Sequence, residues 1–199
     1  MKKKVKEQKN AITPKDRILN KSMELFYEQG FANTGINQII EESSSFKKSF
    51  YTYFSDKNSL GLSYLELQEK DFLNYMRKMI QKHDTYEPFV RSWVSLQRKM
   101  IRLPKYNGCP FALFTNQSLK DAELFQSKIK GILENWKILM VQFIDDLKSK
   151  GNFPKTIDST LCVKKIILYY EGAIQSYVMT RDPTYLSLLE EELIKLPKS

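Results

Sequence analysis

The nine residues Phe46-Lys47-Lys48-Ser49-Phe50-Tyr51-Thr52-Tyr53-Phe54 gather two ammonium groups, two small hydroxyls and two phenols on one short stretch. Phe50 and Phe54 lie four apart, so a helix there can bury both and leave Lys47, Lys48, Ser49, Tyr51, Thr52 and Tyr53 outward. Such a face offers cations and hydroxyls to phosphate oxygens, and donors and acceptors to base edges in a major groove. The competing reading puts Tyr51 and Tyr53 in a core and the lysines on a solvated face. Other chemistry has little to work with. His83 is the sole histidine, which excludes His-pair metal motifs and leaves one position for imidazole acid or base work. Cys109 and Cys162 stand 53 positions apart with no CxxC, which argues against a zinc cluster and for reduced thiols. No GxGxxG, GxxxxGK[ST] or GxSxG occurs. The expectation is no metal, no cofactor and no enzymatic activity.

The elements that must hold the lysine-and-tyrosine face are helical, because apolar residues recur at three and four and seldom alternate. Thr13-Pro14-Lys15-Asp16 opens a first helix with a capping Thr and Pro at its first position, and Ile18, Leu19, Ser22, Leu25 and Phe26 share a face up to Gly30. Thr34 is expected to cap a second, short helix with Ile36, Ile39 and Ile40 inward, which Ser43-Ser44-Ser45 interrupts. The segment from Phe46 to Phe54 follows, and Ser55-Asp56 caps a long helix from Lys57 to about His83. Further helices are expected over 87–103, 111–119, 121–150, 157–180 and 183–196, punctuated by Pro104, Pro110, Gly151, Pro154 and Pro183. The fold expected is all-α with about nine helices. Residues 1–54 form a three-helix helix-turn-helix domain carrying a basic arm, and residues 55–199 form a larger helical body.

Composition agrees with a folded, intracellular chain. Its 199 residues are 42% hydrophobic and 13% aromatic, enough to bury a core without staples. The longest apolar runs, Ile138 to Val141 and Ile166 to Tyr170, are far shorter than the roughly 20 residues a membrane span needs, and no apolar segment follows the basic amino terminus. A cytoplasmic location without membrane contact is expected. The net charge of +9 points to an acidic partner. Six lysines and one glutamate give residues 1–15 a net +5, whereas residues 16–60 sum to −1. That arm is either a solubilising tail or a strand that follows phosphates or enters a minor groove.

Two short helices separated by three small polar residues and braced by an amphipathic first helix are the signature of a helix-turn-helix. Arg17-Ile18-Leu19, Leu25-Phe26, Gly30-Phe31, Thr34, Ile36, Ile39, Lys47, Ser49-Phe50-Tyr51, Tyr53-Phe54 and Lys57 with Leu60 together resemble the DNA-binding domain of the tetracycline-repressor-like (TetR/AcrR) transcriptional regulators. The resemblance implies that Lys47, Lys48 and Ser49 open the recognition helix. It implies that Tyr51 and Tyr53 contact phosphates, as do Lys57 at the start of the long helix and Thr34 and Asn37 at the second. The chain departs from the family pattern where Ser43-Ser44-Ser45 replaces the usual Ala-Gly-Val and Phe46-Lys47-Lys48 the usual Ser-Lys-Gly. Ser44 is then expected in the left-handed conformation that glycine takes freely, at about 1 kcal/mol. Phe46 is expected to pack inward, the alternative being contact with a thymine methyl.

The body resembles the family's ligand-binding and dimerisation domain in helix order, and Asn107-Gly108-Cys109-Pro110-Phe111 resembles the Gly-Cys opening of one subgroup. The resemblance implies a homodimeric repressor that reads a palindromic operator and leaves it when a small apolar, aromatic or electrophilic molecule enters the body. In such a dimer the last two helices pair across the two-fold, with Val163, Ile167, Tyr170, Ile174, Tyr177, Leu186, Leu189 and Leu193 available as interface. Trp93, Phe111, Phe114, Trp136, Met140, Phe143 and Tyr169 are candidate pocket residues, with core packing the favoured role for each. Cys109 joins them as a candidate sensor of electrophiles, since Lys105 nearby could lower its pKa; the alternative is a small buried hydrophobe. The rival for the whole chain is a dimeric helical interaction module that binds no operator.

Overall fold

The computed structural model describes residues 12–118 and 122–198, and the basic arm lies largely outside them. Nine α-helices and no strand occur among the described residues. The first helix, α1 (Pro14–Glu28), begins where Thr13 and Asp16 satisfy each other: Thr13 Oγ1 accepts from Asp16 N (3.1 Å) and Asp16 Oδ2 accepts from Thr13 N (3.1 Å). Its stripe of Ile18, Ser22, Leu25 and Phe26 is buried. At its far end Gly30 takes φ +95°, which turns the chain back, and a Cβ there would lie 2.1 Å from Gln117 Oε1. The freed Phe31 N–H donates to that same amide oxygen (3.1 Å), so the end of the sixth helix closes the end of α1.

Helices α2 (Ile36–Glu42) and α3 (Lys47–Tyr53) follow. Gly35, not Thr34, is the N-cap of α2. The Thr34 hydroxyl points inward instead, donating to Gly30 O (2.7 Å) and accepting from Gln29 Nε2 (3.3 Å). The serine turn between α2 and α3 holds Ser44 at φ 49°, the left-handed conformation expected of it. Arg17 of α1 clamps this turn, with Nε donating to Ser43 O (3.3 Å) and Nη2 to Ser44 O (3.4 Å).

Helix α4 (Lys57–Ile80) has 24 residues and spans about 36 Å. Asp56 caps it, accepting from Ser59 N (2.7 Å). Then come α5 (Tyr86–Met100), α6 (Pro110–Gln117), α7 (Ala122–Ser149), α8 (Ser159–Thr180) and α9 (Thr184–Lys195), each within a few residues of the expected span. The expected end of α6 at Leu119 and start of α7 at Asp121 lie outside the described residues.

Apolar burial falls into two clusters. One lies beneath α1–α3 and the first turns of α4, and is completed by Phe111, Phe114, Phe125 and Ile132. The other fills the body between α4, α5, α7, α8 and α9 around Phe89, Trp93, Trp136, Met140 and Phe143. No helix among the described residues is long and apolar enough to cross a membrane.

Candidate nucleic-acid interface and ligand cavity

Helix α3 is only seven residues long, far below the length at which an isolated helix persists, so its position is set by packing. Phe50 is fully buried, Phe54 nearly so, and their rings meet at 5.7 Å. That anchor turns the opposite face to solvent. Lys47, Lys48, Tyr51, Thr52 and Tyr53 are all exposed, with Ser49 intermediate. Tyr51 is 47% and Tyr53 43% accessible, which removes the reading that placed them in a core. Thr52 is partly committed, since its hydroxyl donates to Lys48 O (2.8 Å). Phe46 corrects an expectation: it is 80% exposed and does not pack inward. It is the N-cap of α3, and its extended backbone (φ −101°, ψ 149°) aims the ring away from the core that Phe50 fills.

Asn37, on α2, is also exposed. Lys57, intermediate in exposure, sets its ammonium 4.6 Å from the centre of the Phe31 ring and donates to Ala32 O (3.3 Å), which holds the start of α4 against the turn after α1. Thr34 is 1% exposed, and its hydroxyl is consumed internally, so its side chain does not reach the surface that α3 presents. Arg17 was not anticipated as part of this arrangement. A long basic side chain three residues past a helix start, 26 positions before a turn rich in carbonyls, is legible only once the turn is folded.

A second feature opens where the unit formed by α1–α3 meets the body. A cavity of about 600 Å³ is walled by Met23, Glu24, Tyr27 and Glu28 of α1, by Phe72 and Met76 of α4, by Trp93 and Gln97 of α5, by the 106–110 loop and by Tyr170 of α8. Trp93 and Tyr170 stack at 5.0 Å and 18°, and Phe72 stands edge-on to Trp136 at 5.0 Å. Of the pocket residues expected from the sequence, Trp93 alone forms the wall. Phe111 and Trp136 sit behind Phe72. Phe114 stacks on Tyr64 in the other cluster, Met140 and Phe143 fill the body core, and Tyr169 packs partly buried at its edge. They are buried because helices meet there without a gap; the gap lies one layer nearer α1. A second apolar row on α1, Leu19, Met23 and Tyr27 at spacing four, was the signal that could have pointed to it.

The seam is held by hydrogen bonds. Tyr27 Oη accepts from Asn107 N (3.0 Å) and donates to Gly108 O (3.1 Å), while Asn107 Nδ2 donates to Tyr27 O (3.1 Å). Burial raises the Tyr27 phenol above its ordinary value, which keeps the donated proton in place. Lys105 Nζ meets both Glu28 oxygens at 2.7 and 2.8 Å. Lys105 is thus occupied by a carboxylate and does not activate Cys109. That thiol is buried, and burial first, then the Glu171 carboxylate, pushes it well above its ordinary value. The cationic environment expected for Cys109 is absent, and the small-hydrophobe reading fits its surroundings.

The residues expected at a two-fold interface need the same correction. Val163, Tyr170, Ile174, Tyr177, Leu186, Leu189 and Leu193 are buried inside this chain, and Ile167 is half-buried. They form the inward stripes of α8 and α9, which pack on one another and on α5 and α7. The apolar side chains these helices expose are Leu161, Leu168 (68%), Met179 (75%) and Leu188.

Comparison with known proteins bears on both features. Residues 18–63 match the family model for bacterial regulatory proteins of the tetR family, and residues 87–192 match the tetracyclin repressor-like C-terminal domain. A regulator described as an uncharacterized HTH-type transcriptional regulator in the lacX 3' region of Lactococcus lactis subsp. lactis is 26% identical, over 96% of this chain and 94% of its own length. The HTH-type transcriptional repressor DhaR of Mycobacterium sp. (strain GP1) is 22% identical, over 82% of each chain. Among solved structures, the reduced form of E. coli NemR superimposes with a TM-score of 0.83 over 90% of this chain and 94% of that one, at 15% identity. With one family model covering α1–α3 and the start of α4, and another covering more than half of the chain, this protein belongs to the tetR family of bacterial transcriptional regulators.

Proposed function

We propose that the chain is a homodimeric repressor that holds a palindromic operator through α3 of each copy and releases it when a small molecule occupies the cavity at the seam. The observation that carries the reading is the division of α3, with Phe50 and Phe54 anchored and Lys47, Lys48, Tyr51, Thr52 and Tyr53 exposed. Ser49, Asn37 and Lys57 flank that face. One helix of seven residues reaches few bases, so two copies spaced about 34 Å apart are needed to read successive turns of the groove. The exposed Leu161, Leu168, Met179 and Leu188 support pairing through α8 and α9, since scattered single leucines do not explain four apolar side chains on adjacent helices. Both α1 and α4 wall the cavity, so an occupant that shifts either one alters the spacing of the two reading heads. Repression, as in the relative described as a repressor, follows if the unliganded spacing is the one that fits DNA.

Selection from a random duplex pool supplies the operator, and gel retention then tests the reading. Replacing Lys47 and Tyr51 together by alanine lowers operator affinity by about a hundredfold and flattens its salt dependence, with helicity unchanged because both side chains are exposed. Undiminished retention by the double variant overturns the proposal. Leu168→Asp with Met179→Asp turns the dimer into a monomer in sedimentation; a dimer that survives both changes overturns the pairing through α8 and α9.

A further inference from the structure

The walls of the seam cavity have an unusual charge. The chain contains 32 lysines and arginines, yet among the described residues the charged ones lining the cavity are Glu24 and Glu28, on successive turns of α1. The rest of the lining is dominated by aromatic faces and methionines, with the Trp93–Tyr170 stack and Phe72 among them. Aromatic faces carry negative potential, thioethers are polarisable, and carboxylates complete a surface whose complement is a positive charge on a flat apolar body. An anion would meet repulsion from every charged group of the lining.

Resting on the reading of this cavity as the effector site, we propose that it binds a flat hydrophobic cation, which takes Glu28 from Lys105 and so removes the ion pair that ties α1 to the segment after α5. The exchange is inexpensive. Lys105 has 70% of its side chain exposed, and an exposed pair of this kind contributes little to stability. Glu24 is likewise paired with Lys21, one turn away on the same helix. A cation enclosed by aromatic faces with water excluded gains more from Glu28 than a solvated lysine does.

Three probes with one ring system separate charge from shape: 10-methylacridinium, neutral acridine at pH 8, and acridine-9-carboxylate. Binding to the full chain without DNA is followed by quenching of Trp93 and Trp136 fluorescence and by calorimetry. The cation is expected to bind at least about tenfold more tightly than either relative. Glu28→Gln lowers cation affinity by about tenfold, and Lys105→Met raises it by about threefold by removing the competitor; both leave acridine affinity unchanged. A change of fold or cavity shape would move acridine as well. Equal or tighter binding of acridine or the carboxylate overturns the cation assignment while an apolar effector site stands. Failure of all three probes to bind, with operator retention intact, overturns the cavity as the site and leaves the DNA reading untouched. A cation advantage that neither variant alters overturns the exchange at Glu28.

Discussion

The cluster beneath the reading helix and the cluster inside the body are assembled on different plans. The buried members of the body core among the described residues run from Leu73 to Leu196, all of them outside α1–α3. The reading unit does not: Ile18, Phe26, Ile39 and Phe50 form three sides, and Phe111, Phe114 and Phe125 of the body close the fourth. Phe31 and Phe114 meet at 4.9 Å, and Phe31 and Phe125 at 5.2 Å, across that boundary. A division of the chain near residue 54 therefore separates two roles but cuts one core. Phe72 packs against both clusters and also lines the cavity, which places the cavity where the two cores meet. A packed core does not deform continuously, so the proposed release of DNA requires that an occupant at that point shift the first cluster as well as the second.

The sharpest way to break this contrast is to empty each core in turn. Phe114→Ala and Phe143→Ala each remove a ring that is almost wholly buried, and each is expected to cost about 3–5 kcal/mol in denaturant unfolding. Their consequences for DNA differ. The folded fraction of Phe114→Ala loses operator affinity, because the floor of the reading unit is gone, whereas that of Phe143→Ala retains it. Equal losses from the two would mean that the clusters are not distinct.

A smaller effect tests the seam itself. Tyr27→Phe keeps the ring and deletes the hydroxyl that accepts from Asn107 N and donates to Gly108 O. The half-buried amide is left without its acceptor, at about 1–3 kcal/mol. Faster hydrogen exchange at Asn107, with exchange in α8 unchanged, is the expected mark of a seam loosened without harm to the body. Protection at Asn107 as strong as in the parent chain would show that Tyr27 does not hold α1 to the loop.

Much of this was legible in the sequence, and the failures have a common cause. Caps such as Thr13 and Asp56, the inward pair Phe50 and Phe54, and the order of the helices depend on residues within one or two turns of each other. Which stripe of a helix meets which neighbour does not. Helix α8 is apolar on most sides, from Leu161 and Val163 to Ile166, Leu168 and Tyr170, so periodicity names its apolar positions without saying which of them face α7 and α9 and which face water. Val163 and Tyr170 therefore looked like interface and are core, while Leu168 is outside. Thr34 looked like a cap because it precedes a helix, but the carbonyl of Gly30, exposed by the left-handed turn there, takes its hydroxyl. The cavity was the least legible, since its walls come from α1, α4, α5, the 106–110 loop and α8, which are far apart in the sequence.

A weaker handle lies where α3 passes into α4. Asp56→Ala removes the capping carboxylate and is expected to cost about 1 kcal/mol. The hydrogen bond from Ser59 N holds the Asp56 carboxyl below its ordinary value when folded. The unfolded chain therefore binds the proton more readily, and the cap's contribution is complete above the ordinary carboxylate value of about 4 and fades as pH falls through the lower folded value. Unfolding curves of parent and variant should differ at pH 7 and converge in that acid window; a gap that persists there would assign the loss to packing instead of the charge.

The smallest effect expected is at Cys109, where the seam and the body core can be compared through one chemistry. Cys109 lies at the seam and Cys162 in the body, yet both thiols are buried and burial raises both above their ordinary values. Alkylation proceeds through the thiolate, and each tenfold loss of thiolate slows it about tenfold, so both cysteines of the folded chain should react with iodoacetamide at pH 8 at least about tenfold more slowly than in denaturant. Cys109→Ser is then expected to leave the response of operator retention to methylglyoxal unchanged. Rapid alkylation confined to Cys109 would instead mean that the seam opens on its own far more often than the body does. In that case the two cores would differ in their dynamics as well as in their construction, and the loop from 106 to 110 would be the element that moves.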